Sequence, residues 1–408
     1  MNLGSRRHDL DWVRILAFLL LILYHVGMYY VSWDWHVKSE RAGHAIEPLM
    51  LLTSPWRLSL LFLVSGVATA YLLERRPQGF LGARSWRLLV PLAFGMLVIV
   101  PPQSYLEVVE KLHYPGSYAE FYRLYLSGFH GFCRDGDCLI LPTWNHLWFV
   151  AYLWVYTLVL FAGVRLAPRA LPALRRAAER HLGSVLVILL PVGLLVAARV
   201  GLAGRFPQTH ALIDDWYDHA NFFVVFLLGV VLAGTQAPWA ALERARWPTL
   251  AAAVFGWGLL CLLQGYYDSD EVLVGRAGVL AGRVLYGSLQ WLALAAVLGF
   301  ARRHLNHDGP ARRYLTAAIF PVYILHQTVI VIFAHALKPA HFAPPVEAVV
   351  LVLSCTAACF LGVEVIRRVG FLKPLFGYSD TAARPPAAPL VPVAAAHLGP
   401  AVWRPDLH

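Results

Sequence analysis

DLDWVRILAFLLLILYHVGMYY, residues 9–30, starts with a polar turn and runs into an apolar stretch that carries two ionisable side chains, Arg14 and His25. From Trp12 to Tyr30 it has about the length an α-helix needs to cross the hydrocarbon core of a bilayer. Nine more apolar blocks follow: Leu49 to Leu73, Trp86 to Val100, His146 to Ala167, Ser184 to Leu202, His219 to Ala233, Pro248 to Tyr266, Val279 to Phe300, Tyr314 to Leu337, and Val346 to Ile366. Across all 408 residues 59% are hydrophobic and only 14% charged, against about 25% charged in soluble domains. The pattern predicts an all-α, polytopic integral membrane protein of about ten transmembrane helices and excludes an ordinary soluble enzyme.

An even number of spans puts both termini on one side, and the basic residues indicate which. With the N-terminus cytoplasmic, the inside segments hold 23 of the 34 Lys and Arg and the outside loops hold 8. The net charge of +10 therefore reflects topology; the basic residues punctuate the apolar blocks instead of clustering on a soluble face, and no nucleic-acid partner is expected. The first block keeps Arg14 and His25 and lacks a small-residue cleavage site, so it is expected to stay in the mature protein. Residues 1–377 form the expected transmembrane domain, and 378–408, rich in Ala and Pro, a disordered cytoplasmic tail. The outside segment from Pro101 to Asn145 reads as a long aromatic-rich loop, either a lid or platform for a polar ligand or a set of interfacial aromatics. Within it Cys133 and Cys138 could close a small disulfide ring or remain free thiols.

Ionisable side chains inside a span are functional candidates because burying them is costly. Ten residues separate Arg14 from His25, which returns His25 to within about 20° of Arg14 and about 16 Å further along the helix. Both then face one groove, Arg14 near the cytoplasmic surface and His25 in the outer half. A neutral imidazole there could act as a general base on a hydroxyl, or it could only bond a neighbouring helix. Arg84 and Arg87 share a helix face at the cytoplasmic start of the third span. Guanidinium groups suit phosphate, although topology alone also places arginines there. Arg57, Arg199 and Arg283 lie in outer halves where topology gives them no reason, so each should meet an acidic residue or a bound anion. His146, at the outer edge of the fourth span, could contact a polar acceptor or be an interfacial histidine without a role. His326 could be a structural hydrogen-bonder. No Cys, Asp or Glu set gives metal-ligand spacing around His304 and His307, and neither a phosphate-binding loop nor a nucleophile elbow is present, so no metal and no tightly bound cofactor is expected.

Together, Arg14 with His25, Phe62-Leu63-Val64-Ser65-Gly66 in the second span, and Arg84-x-x-Arg87 resemble the membrane-bound acyltransferase-3 family. The runs Asp9 to Tyr29, Val90 to Gln103, His146 to Tyr156 and Pro321 to Val331 resemble its glucan biosynthesis protein C group, which succinylates periplasmic glucans. The resemblance implies a multi-pass protein of the bacterial cell inner membrane in contact with lipid. It implies a cytosolic acyl-CoA donor, succinyl-CoA or another, whose phosphates are held by Arg14, Arg84 and Arg87. The catalytic His25 would deprotonate a glucan or other carbohydrate hydroxyl or take the acyl group itself, and Arg57 and His146 would serve the acyl group and the acceptor. In much of the family an acidic residue follows the Trp-Phe of the fourth span; here Tyr152 and Trp154 stand there instead. A transporter or flippase of a polar or anionic substrate, lined by the same charges, is the competing reading. Residues alone leave open the acyl chain, the acceptor sugar and the oligomeric state.

Overall fold

The structure is a computed structural model, and it describes residues 7–75, 77–134, 136–269 and 275–379. Beyond Ser379 the expected tail lies outside the described residues. The first half of the chain folds as α1 (His8–Tyr30), α2 (Glu47–Thr53), α3 (Arg57–Arg75), α4 (Phe80–Phe94), α5 (Pro101–Leu112), α6 (Tyr118–Leu126) and α7 (Trp148–Leu166). It continues as α8 (Ala170–His181), α9 (Leu186–Leu202), α10 (Trp216–Leu232), α11 (Ala237–Ser269), α12 (Gly275–His304), α13 (Pro310–Leu337) and α14 (Pro344–Arg368). Among the described residues eight helical stretches are long and apolar enough to cross a membrane, and α9 and α10 are shorter apolar helices. The fold is an all-α multi-pass membrane protein.

The third block extends further than its sequence suggests. Pro101 and Pro102 read as the start of a loop, yet apolar helix runs over Phe80–Leu112. Pro91 interrupts the ladder inside α4 and a π-turn at Gly95–Ile99 follows. Pro101 and Pro102 then occupy the first positions of α5, where a missing N–H costs nothing. The wide turn shifts the phase of the helix after it, and Gln103 and Ser104 of α5 are fully buried. Beyond α5 the expected loop is built. Ser117 caps α6 in a reciprocal capping box with Glu120, and Val108, Phe121, Tyr125, Phe132 and Leu141 pack as a small core. Cys133–Arg134 pairs antiparallel with Asp137–Cys138, and Cys133 and Cys138 are disulfide-bonded, which decides between the two readings of that pair.

Two contacts set the helix arrangement around the centre. Gly66 on α3 and Gly229 on α10 face each other's backbone: a Cβ at Gly66 would strike the Phe226 carbonyl, and one at Gly229 the Leu63 carbonyl. This reciprocal small-residue approach brings two helices together where lipid offers no hydrophobic driving force. It also packs Phe62, wholly buried, against Phe149, Tyr156 and Phe222. The second contact joins α1 to α13, which run in the same direction with a near-constant sequence offset. Asp11 pairs with Arg312, Arg14 Nη2 donates to the Thr316 carbonyl at 3.2 Å, Phe18 meets Tyr323, and His25 meets His326. The ion pair of Asp11 and Arg312 closes one end, and the two histidines lie at the other.

Candidate active site

Towards the C-terminal end of α1, a cavity of about 440 Å³ opens among α1, α3, α7, α13 and the segments before α7 and α10. His25, His146, Arg57, Trp35, His36, His210, Tyr323 and Gln327 all line it.

Hydrogen bonds fix which nitrogen of His25 is free. His25 Nδ1 lies 2.9 Å from the Leu21 carbonyl, which can only accept, so Nδ1 carries the proton. Its other neighbour is His326 Nε2 at 3.1 Å. His326 Nδ1, 2.6 Å from the Tyr323 carbonyl, must itself be protonated, which leaves His326 Nε2 as an acceptor for His25. Both rings are thus neutral tautomers wired in one direction, and the unprotonated Nε2 of His25 is left for a ligand. Trp35 stacks at 6.5 Å between ring centroids and Tyr24 stands edge-on at 6.0 Å, holding the imidazole plane. His326 is therefore the orienting partner of His25 and not an independent feature of its own helix.

His146 is spent differently. Its Nε2 donates to the Ile324 carbonyl at 3.1 Å, and its Nδ1 takes the Gln103 amide at 3.4 Å. Gln103 Nε2 also donates to Thr328 at 2.6 Å, while its Oε1 accepts from Asn145 at 3.1 Å and from Gln327 at 3.0 Å. Gln327 reaches His36 Nε2 at 2.9 Å, and His36 Nδ1 reaches Glu107 at 2.5 Å. Both ring nitrogens of His146 are occupied inside the protein, so its part in the site is to lock α7 against α13. Gln103, Gln327 and His36 were not singled out in the sequence. An amide in a stretch read as loop gives no signal until α5 is seen to be a buried helix.

Arg57 is the opposite case. It is buried, its guanidinium carbon sits 3.2 Å from the centroid of the Tyr24 ring, and its Nε and Nη1 have no hydrogen-bond partner among the described residues. A cation stacked on one aromatic face beside a polar cavity, with two nitrogens lacking a partner among the described residues, suits an anion or a developing negative charge. Arg199 donates to Tyr217 at 2.6 Å and stacks on Tyr286 at 3.6 Å, although its Nε too is buried without a partner among the described residues, and Arg283 packs against the backbone at Gly204.

Arg14, Arg84 and Arg87 do come together. Arg84 lies within electrostatic range of both of the others. It donates to Thr69 at 3.3 Å, its Nε is buried without a partner, and Arg87 beside it is exposed. Next to Arg84, the Ser85 hydroxyl takes the Trp154 indole N–H at 3.0 Å, tying the start of α4 to α7. Helix rise along α1 puts Arg14 about 16 Å from the level of His25.

Where much of the family has an acidic residue on this helix, Tyr152 of α7 meets one from another element. Tyr152 donates to Asp215 Oδ2 at 2.5 Å, and Asp215 and Asp218 are both fully buried. His210 lies flat on Trp148, with ring centroids 4.1 Å apart and planes at 20°. Burial pushes the His210 imidazole down to about 4, with Arg57 acting in the same direction and Asp215 against it. None of these three residues carried a sequence signal, because they sit in or beside a polar segment between apolar blocks.

The acyltransferase domain model Acyl_transf_3 matches residues 7–364. Glucans biosynthesis protein C of Escherichia coli strain K12 is 23% identical over 387 residues, covering 91% of this chain and 94% of that protein. Its counterpart from Escherichia coli O81 strain ED1a is 24% identical over 393 residues with the same coverage. No solved structure matches. The family match spans the first thirteen helices and most of the fourteenth, including Arg14, Arg84, Arg87 and the histidine cavity, and the chain belongs to the acyltransferase-3 family.

Proposed function

We propose that this protein is an acyl-CoA-dependent O-acyltransferase of the bacterial inner membrane, with ten spans and both termini cytoplasmic, that moves a succinyl group to hydroxyls of a periplasmic glucan. The observation that carries the reading is the pairing, in one cavity, of a histidine whose Nε2 is left unprotonated with an arginine whose donors are unspent. The names of the glucans biosynthesis relatives support the acceptor class. Arg84 and Arg87, with Arg14 alongside, bind the donor's phosphates at the cytoplasmic end, and the thioester reaches up along α1 to His25.

His25 Nε2 takes the proton of the acceptor hydroxyl as its oxygen attacks the thioester carbonyl. A C–O bond forms and the C–S bond breaks. The thiolate leaves as free CoA after taking the proton back from the imidazolium, whose charge is borne by Nδ1–H bonds to Leu21 and His326. Arg57 pairs with the distal carboxylate of the succinyl group.

The test compares purified wild type and His25→Ala in nanodiscs for binding and turnover of succinyl-CoA and acetyl-CoA. Binding by both proteins with turnover only by wild type is the expected outcome. If neither folded protein binds a CoA thioester, the donor is lost and transport of an anionic substrate becomes the better account.

A further inference from the structure

The segment between α9 and α10 adopts a backbone that its residues avoid. His210, Leu212 and Asp214 have φ of 56°, 70° and 59°, and none is glycine. A left-handed conformation is tolerable for histidine or aspartate and unusual for a bulky leucine. It persists because the turn is held from several sides. Asp215 Oδ2 accepts the His210 N–H at 2.9 Å as well as the Tyr152 hydroxyl. The Tyr152 oxygen accepts the Leu212 N–H at 2.9 Å, His219 Nε2 donates to the Leu212 carbonyl at 2.8 Å, and the Trp144 indole donates to the His210 carbonyl at 3.0 Å.

The outcome of this arrangement is the position of one side chain. The His210 ring lies on Trp148 and lines the cavity that holds His25 and Arg57, from the α7 side, whereas His25 and His326 come from α1 and α13. Its Nε2 is 3.5 Å from Asp218 Oδ2, a buried oxygen that has no hydrogen-bond partner among the described residues. A ring fixed in plane by stacking at the wall of a polar cavity suits a hydroxyl group, which pairs with a ring nitrogen in either tautomer.

We propose that His210 binds the acceptor, pairing through a ring nitrogen with a sugar hydroxyl next to the one acylated, and so sets which hydroxyl faces His25. This rests on the acyltransferase reading and adds a specificity residue to it. No proton is transferred at His210.

Two variants separate the side chain from the backbone. His210→Gly removes the ring and adopts φ near +60° without strain. His210→Asn tolerates the same backbone and keeps an amide donor and acceptor on a short side chain there. Binding of a β-linked gluco-oligosaccharide to the nanodisc protein is measured by titration calorimetry, and succinyl-CoA binding and acceptor-free thioester hydrolysis are measured on the same samples. His210→Gly is expected to weaken oligosaccharide binding about tenfold with donor binding and hydrolysis unchanged, and His210→Asn to recover most of it. Equal binding by wild type and His210→Gly overturns the proposal, as does equal loss in both variants, which would trace the effect to the loop. Wild type that hydrolyses the thioester but does not bind the oligosaccharide overturns it too, with the acyltransferase reading intact. Absence of any donor binding is the separate failure of that reading.

Discussion

Replacing Arg57 by leucine tests the charge logic of the cavity most directly. The side chain has two buried nitrogens without partners and one aromatic face beneath it. In the free protein its contribution to stability is therefore small: a stacked cation is worth about 0.5–2 kcal/mol, set against the cost of keeping a buried guanidinium only partly bonded. When a donor ends in a carboxylate, those nitrogens gain charge-assisted bonds worth about 1.5–3 kcal/mol, roughly a 10- to 150-fold factor in kcat/KM. An acetyl donor has no such group. Arg57→Leu should lower kcat/KM for succinyl-CoA by that factor and for acetyl-CoA by much less, and the melting temperature should stay nearly unchanged. The assay is transfer of radiolabelled acyl groups to glucan from each donor, with thermal melting of the same preparation. Equal loss with both donors would refute the carboxylate assignment and make Arg57 a stabiliser of the oxyanion that every donor forms. A collapse in melting temperature would refute the claim that its donors are unspent.

Removing His326 separates an orienting residue from a reacting one. His326→Leu leaves the Nδ1 proton of His25 to the Leu21 carbonyl and forfeits one neutral hydrogen bond, about 0.5–1.5 kcal/mol, a loss of roughly 2- to 13-fold in kcat. His25→Ala should cost about 10²- to 10⁴-fold, and equal losses in the two variants would put His326 in the proton transfer itself. Gly229→Val drives a side chain into the Leu63 backbone and should lower the melting temperature by the equivalent of about 1–3 kcal/mol; an unchanged melt would mean that α3 and α10 do not meet so closely. The His210 imidazole is held down to about 4, below its ordinary 6.5. The unfolded chain therefore binds the proton first as pH falls, and stability present above about 6.5 is lost between there and 4. Melting curves across that window should show the loss and His210→Asn should flatten it; identical slopes would place the titration on another group.

The spans and the arginine and histidine positions in them were legible because hydrocarbon forces a period and a length on the chain and makes each buried charge conspicuous. Arg84 lies within electrostatic range of Arg14 and Arg87, and Arg57, whose depth called for an acidic residue or a bound anion, has Nε and Nη1 without a hydrogen-bond partner among the described residues. What stayed hidden is polar and paired across helices. Gln103 falls after two prolines, which in sequence look like a stop and in the structure begin α5. Asp215 accepts the Tyr152 hydroxyl of α7, a partnership across 63 positions that no local pattern encodes. His146 stood out as an edge histidine, but the Gln103 amide and the Ile324 carbonyl that occupy it come from two other helices.

Because α1 and α13 run side by side in register, from the Asp11 and Arg312 pair to the His25 and His326 pair, they form a fixed gauge across the bilayer. The distance between Arg14 and the His25 imidazole, about 16 Å along the helix, is set by backbone and not by flexible loops. On the acyltransferase reading proposed above, a donor would be measured by length as well as charge. Carriers whose arm is too short would not reach both ends at once, so the same rigid pair that aims the histidine would also screen what is delivered to it, and acyl groups without a phosphate handle would have nothing to hold them at the right depth.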